Sequence, residues 1–123
     1  MGYEIFILLV VFQIKHFICD YPLQIQYMLG KMNKTGWIFP LLSHSAVHAF
    51  GTFVIVSFYD IYLAIYLALI DLVLHFIVDR LKASPKIGGR FKLEQPYFWW
   101  ALGADQMTHH IINYVFIYII LNY

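Results

Sequence analysis

The sequence predicts an all-α, polytopic membrane protein built as an antiparallel bundle of four transmembrane helices, and three observations carry that prediction. Only 12% of the 123 residues are charged and 62% are hydrophobic, whereas a soluble domain carries about 25% charged residues to face water. Four apolar runs approach the ~20 helical residues needed to cross about 30 Å of hydrocarbon; they cover residues 3–20, 37–58, 61–82 and 97–121. Breakers and charges collect between them. The length suits one integral membrane domain, residues 1–123. Helix is the required state, because an open strand edge would leave backbone groups unpaired in lipid.

The first span has no Lys or Arg ahead of it and no small-residue cleavage pattern behind it, so it is expected to be retained and not removed as a signal peptide. It carries Gln13, Lys15, His16, Cys19 and Asp20. Lys15 lies close enough to the end of the helix to be expected to snorkel there. Residues 21–36 follow as a connection, with Pro22, Gly30, Asn33 and Gly36 as breakers and with Lys31 and Lys34. The second span opens at Trp37 and carries His44 and His48, and a tight turn at Tyr59 and Asp60 without basic residues leads into the third. The third span holds Asp71, His75 and Asp79, then Arg80 and Lys82. Its connection to the fourth contains Ser84-Pro85, Gly88-Gly89, Lys86, Arg90 and Lys92. The fourth opens on Tyr97, Trp99 and Trp100, suited to an interfacial belt, and continues through Asp105, Gln106, His109 and His110.

Charge placement sets the orientation. Apart from Lys15, every basic residue falls in or beside the first and third connections, and the positive-inside rule then puts those connections in the cytoplasm. The expected location is the bacterial inner membrane with both termini outside the cytoplasm. A net charge of +1 provides no basic field, which excludes nucleic acid as a main partner. The bilayer is the expected partner, with a homo-oligomer left open. The single Cys19 excludes an intrachain disulfide and a multi-cysteine zinc module.

The chemistry lies in the His and Asp residues inside the spans. They recur at i,i+4, which stacks them on one helix face: His16 with Asp20, His44 with His48, Asp71 with His75 and Asp79, Asp105 with His109. An antiparallel order brings all of them to the cytoplasmic half. Seven or so residues from the boundary at 1.5 Å each places His44, His75 and Asp105 about 10 Å deep, in one layer. A carboxylate near the centre of a span costs on the order of 2.5–3.5 kcal/mol, so these groups are expected to face one another. One such residue alone more often joins two helices. So many in one layer fit a metal site better, because imidazole and carboxylate on facing helices are how helical bundles bind metals.

The expected ligands are His44, His48, Asp71, His75, Asp79, Asp105 and His109, with His16 and Asp20 beside them. They would hold one or two divalent transition-metal ions; zinc, iron or manganese suits this nitrogen-rich set better than calcium, which prefers oxygen alone. His110 is turned about 100° from His109 and is expected to point away. Gln24, Gln106 and Lys82 are expected to orient ligands or substrate.

Taken in order, His16-x3-Asp20-Tyr21-x-Leu23-Gln24, a lysine at Lys31 or Lys34, His44-x3-His48, His75-x3-Asp79-x2-Lys82 and Asp105-Gln106-x2-His109 give the chain a pattern that resembles the bacterial and phage membrane proteins grouped as domain of unknown function 3307. The resemblance covers nearly the whole chain. It implies a small multi-span membrane protein and supplies no reaction. A looser similarity, in membrane placement and His/Asp usage alone, is to membrane-bound metal-dependent hydrolases.

The expected function is accordingly metal-dependent hydrolysis of a lipid-like or other ester or phosphoester, with Asp105 or Asp71 as proton acceptor. The alternatives are a metal-ion or proton transporter subunit, since intramembrane Asp and His also form relays, and a structural adaptor whose polar layer only fixes the bundle.

Overall fold

Uninterrupted apolar runs with breakers confined to the connections give long helices. The computed structural model describes residues 2–123 and consists of α1 (Gly2–Asp20), α2 (Ile38–Ser57), α3 (Ile61–Ala83) and α4 (Pro96–Asn122), with 3₁₀ segments at Gln26–Met32 and Gly88–Arg90. No strand occurs among the described residues. The helix boundaries have local causes. Asp60 ends the turn after α2 and caps α3, its Oδ1 accepting from the Leu63 N–H at 2.8 Å. Pro96 opens α4, where a missing N–H is tolerated.

α2 and α3 form the most extensive pair; α1 packs against α2 and α4, and α4 against α3. The α2/α3 pair runs antiparallel with a clear register: Thr52 meets Asp71, His48 meets His75 and His44 meets Asp79. Each step of four along α2 is answered by a step of four back along α3, as one face per helix requires.

Three helices, α1, α2 and the one beginning at Ile61, are long and apolar enough to cross a membrane. α4, at 27 residues the longest, is not among them. Its length suffices, but Asp105, Gln106, His109, His110 and Asn113 dilute the apolar character of its middle.

The interior has two tiers. At one end, Leu8, Phe12, Val56, Leu63, Ala64, Leu67, Phe116, Ile117 and Ile120 form an apolar core. Beyond it toward the longer connections, the buried positions turn polar on every helix: Lys15 and His16, then His44, Ser45, His48 and Thr52, then Asp71, His75 and Asp79, and finally Asp105, His109 and Asn113. The outer surface is the reverse, with Phe6, Phe50, Tyr62, Tyr66, Leu69, Trp100 and Tyr118 all exposed.

Lys15 corrects a sequence expectation. It does not reach for the helix end; it is buried, and its ammonium lies 3.2 Å from Asp71 Oδ2. Its stem passes over Gly51 of α2, where a Cβ would come within 2.9 Å of Lys15 Cγ. The small residue is what lets the lysine turn inward.

The first connection is also more ordered than breakers alone suggest. Its 3₁₀ segment lies against the start of α2, and a Cβ on Gly30 would meet Pro40 Cγ at 2.9 Å. Arg80 ties the segment to α3, donating from Nη1 to the carbonyls of Lys31 at 2.7 Å and Asn33 at 3.2 Å. Its guanidinium also lies 3.9 Å from the centre of the Trp37 ring. Gly30→Ala is therefore expected to cost about 1–3 kcal/mol by overpacking against a rigid ring. Hydrogen exchange should show faster exchange over residues 26–33 with the four helices still protected; unchanged exchange there would mean that the contact is unimportant.

Candidate metal centre

Helical spacing delivers the groups, and the α2/α3 register brings them together. His48 and His75 stack with ring centres 3.8 Å apart at 24°, and His75 and His109 at 4.1 Å and 21°. His44 closes the group edge-on, 4.8 Å from His48 and 5.2 Å from His75. All four are at least 95% buried. Asp20, at the end of α1, reaches in from the side: its Oδ1 lies 2.8 Å from His48 Nε2 and 3.4 Å from His44 Nε2, and its Oδ2 lies 3.0 Å from His16 Nε2.

These distances suit a metal. Bonds of about 2.0–2.1 Å in a tetrahedral site set neighbouring ligand atoms roughly 3.3 Å apart. Asp20, His44, His48 and His75 can each present a ligand atom such that all four lie within 4.8 Å of one another, and His75, Asp79 and His109 form a second group on the same criterion. The donor chemistry agrees with the geometry. A neutral imidazole has one N–H and one lone pair, and His44 Nδ1, His48 Nδ1 and His75 Nε2 are buried with no hydrogen-bond partner. Leaving a buried polar atom unpaired costs about 1–3 kcal/mol; each of these three nitrogens is open to a further partner, while the Nε2 atoms of His44 and His48 face Asp20. The residues present can hold a metal.

The remaining candidates are placed as follows. Asp79 Oδ2 accepts from Lys31 Nζ at 2.7 Å and lies 3.8 Å from His44 Nε2. Asp105 is beside the second group: its Oδ1 is 3.1 Å from His109 Nε2 and its Oδ2 accepts from Gln106 Nε2 at 3.1 Å. Gln106 also meets His16 Nε2 at 2.8 Å, so it bridges α1 and α4. Gln24 accepts from Lys31 at 2.7 Å and donates to the Asp20 carbonyl at 3.0 Å. His109 is buried in the cluster, while His110 is half-buried beside His16, with ring centres 4.8 Å apart. Asp71 stands apart from both groups. Its Oδ2 is held by Lys15 and by the Thr52 hydroxyl at 2.6 Å.

A cavity of about 190 Å³ opens beside the cluster, lined by Asp20, Tyr21, Gln24, Lys31, Asp79, Lys82, Asp105 and Gln106. A larger groove between α1 and α2 along Val11, Ile18 and Phe50 is mostly apolar and is lined by no imidazole. The small cavity is where the polar chemistry is.

Sequence reasoning missed the inward turn of Lys15, the burial of Lys31, and Ser45, Thr52 and Asn113 as interior groups. Thr52 was findable, since it extends the His44, His48 step by four. The two lysines were not, because spacing along one helix does not say which acid on another helix a cation will meet.

Neither the curated proteins nor the solved structures include a chain that matches this one. The pattern of the family described as "Protein of unknown function (DUF3307)" matches residues 7–123, and the chain belongs to that family.

Proposed function

We propose that the protein is a four-span antiparallel bundle of the bacterial inner membrane whose His/Asp centre binds a divalent transition metal and hydrolyses a lipid-like ester or phosphoester from the cytoplasmic side. The observation that carries the reading is that Asp20, His44, His48 and His75 each present a ligand atom within 4.8 Å of the others, in an interior that leaves His44 Nδ1, His48 Nδ1 and His75 Nε2 without hydrogen-bond partners. The inverted surface supports the membrane setting: large apolar side chains face outward and fourteen polar or charged residues are buried, the reverse of a water-soluble domain. α4 fits as a fourth span because its Asp105, His109 and Asn113 face inward and only apolar positions need meet lipid. The basic connections support a centre facing the cytoplasm, by the positive-inside rule.

A bound ion would supply Lewis acidity and a more acidic water. The chain's own groups supply the rest. Asp20, His44, His48 and His75 would hold the ion, His109 and Gln106 orient the Asp105 carboxylate, and Asp105 borders the cavity where it can accept a proton. Asp71 does not line that cavity, so the proton-accepting role falls to Asp105. Tested on zinc-loaded protein in lipid micelles with ester and phosphoester lipids, Asp105→Asn is expected to lower turnover about 10²–10⁴-fold while metal content stays unchanged. Full turnover in that variant would remove Asp105 from the chemistry, and no turnover by the wild type with any lipid ester would defeat the hydrolase reading.

One observation favours transport as a second reading: Lys15, Thr52 and Asp71 extend the polar groups beyond the imidazoles. The apolar core from Leu8 to Ile120 then interrupts any path. Zinc flux into proteoliposomes above that of empty vesicles would favour transport over hydrolysis.

A further inference from the structure

The Lys31 ammonium is placed directly on a carboxylate of one of the two potential ligand groups. It is buried, donates to Asp79 Oδ2 and to Gln24 Oε1, each at 2.7 Å, and borders the cavity shared with Asp20 and Asp105. Asp79 is the only carboxylate of the second potential ligand group, with His109 and with His75, which the two groups share and which would bridge two ions through its two ring nitrogens. A divalent ion on either oxygen of this carboxylate would lie within a few ångströms of the ammonium and be strongly repelled by it. The lysine is also not free to drift away. Arg80 grips its carbonyl, the Gly30 backbone lies against Pro40, and the Arg80 guanidinium is seated on Trp37.

We infer that Lys31 is a built-in second cation: it occupies the position of a second metal ion at Asp79, so that the centre takes a single exchangeable ion at Asp20, His44, His48 and His75. The inference rests on the metal-binding reading above and decides its stoichiometry. Three carboxylates facing one cavity otherwise favour a pair of ions, the arrangement that two-metal hydrolases use to clamp a displacement from both sides. Here one of the two charges is covalently part of the chain. It cannot be chelated, and it is delivered by a connection and not by a helix.

Zinc alone is the probe, with bound ion counted per chain after titration and desalting of the detergent-purified protein. Wild type and Lys31→Arg, which keeps the charge, are expected to bind one ion. Lys31→Met is expected to bind two. Arg80→Ala leaves every side chain of the centre in place but loosens the segment, and it is expected to bind one ion tightly and a second more weakly. That variant keeps the test decisive if Lys31→Met does not fold, because a single ion in Arg80→Ala would then overturn the inference. Two ions in the wild type, or one in a folded Lys31→Met, would overturn it while leaving the metal-binding reading intact. No ion in the wild type would overturn both.

Discussion

His48→Ala is expected to lower zinc affinity by at least about 100-fold, so that the purified variant emerges without metal where the wild type carries it. His48 is the best placed of the ligands: its ring stacks on His75, and its Nε2 lies 2.8 Å from Asp20 Oδ1. Removing the ring takes away a ligand and also the contact that fixes the His75 plane. Losing only a group that orients a ligand costs 10–100-fold in metal affinity, so losing a ligand together with its neighbour's support lies at or beyond the upper end. The control is His110→Ala. That ring is half-buried beside His16 and belongs to neither ligand group, so the variant is expected to keep its ion. Elemental analysis after chelation and reloading reads both. Equal metal in His48→Ala and wild type would refute the assignment, and loss in His110→Ala would relocate the site toward α1.

The second large effect is on stability and lies outside the imidazole cluster. Lys15→Met leaves the Asp71 carboxylate buried with the Thr52 hydroxyl as its remaining partner. Removing one member of a buried ion pair costs about 3–5 kcal/mol, because the survivor is a charge without compensation, whereas replacing both members by apolar groups is often neutral. Lys15→Met is thus expected to lose about 3–5 kcal/mol in a denaturing-detergent titration. The double variant Lys15→Met, Asp71→Leu should recover most of that loss, with zinc content at the wild-type level in both. If the double variant were as unstable as the single, the pair would not be the self-contained unit described. If it folded and held zinc but lost turnover, Asp71 and not Asp105 would be the reacting carboxylate.

The helices were legible because hydrophobic length is a property of a continuous run. Spans read at 3–20, 37–58, 61–82 and 97–121 meet helices at Gly2–Asp20, Ile38–Ser57, Ile61–Ala83 and Pro96–Asn122. The convergence of His44, His48 and His75 was legible for a related reason. Steps of four fix a face, and a three-residue turn between α2 and α3 leaves little choice but to set those two faces side by side. Partner choice was less accessible. Asp71 continues the His75 stripe by the same spacing, yet it meets Lys15, because a further helical turn places it opposite α1 at the level of Gly51, where a lysine stem fits. Lys31 was read as a charge in a connection. Its entry into the interior depends on Gly30, Pro40, Trp37 and Arg80 acting together, four residues from three parts of the chain whose joint effect no local pattern contains.

The division of the interior into an apolar tier and a polar tier bears on how the helices find their angular setting. In the bilayer setting proposed above, an apolar face gains no hydrophobic advantage from being inside, since the surrounding tails would be equally apolar. Leu8, Phe12, Leu67 and Phe116 would pack nearly as well with any one helix turned about its own axis. The polar tier is not so tolerant. Turning α3 by a single residue, about 100°, would swing Asp71, His75 and Asp79 together out of the polar interior. One half of each helix therefore supplies cohesion and the other half acts as an index mark, admitting one rotation per helix and making the angular order of the assembly a property of its few ionisable residues.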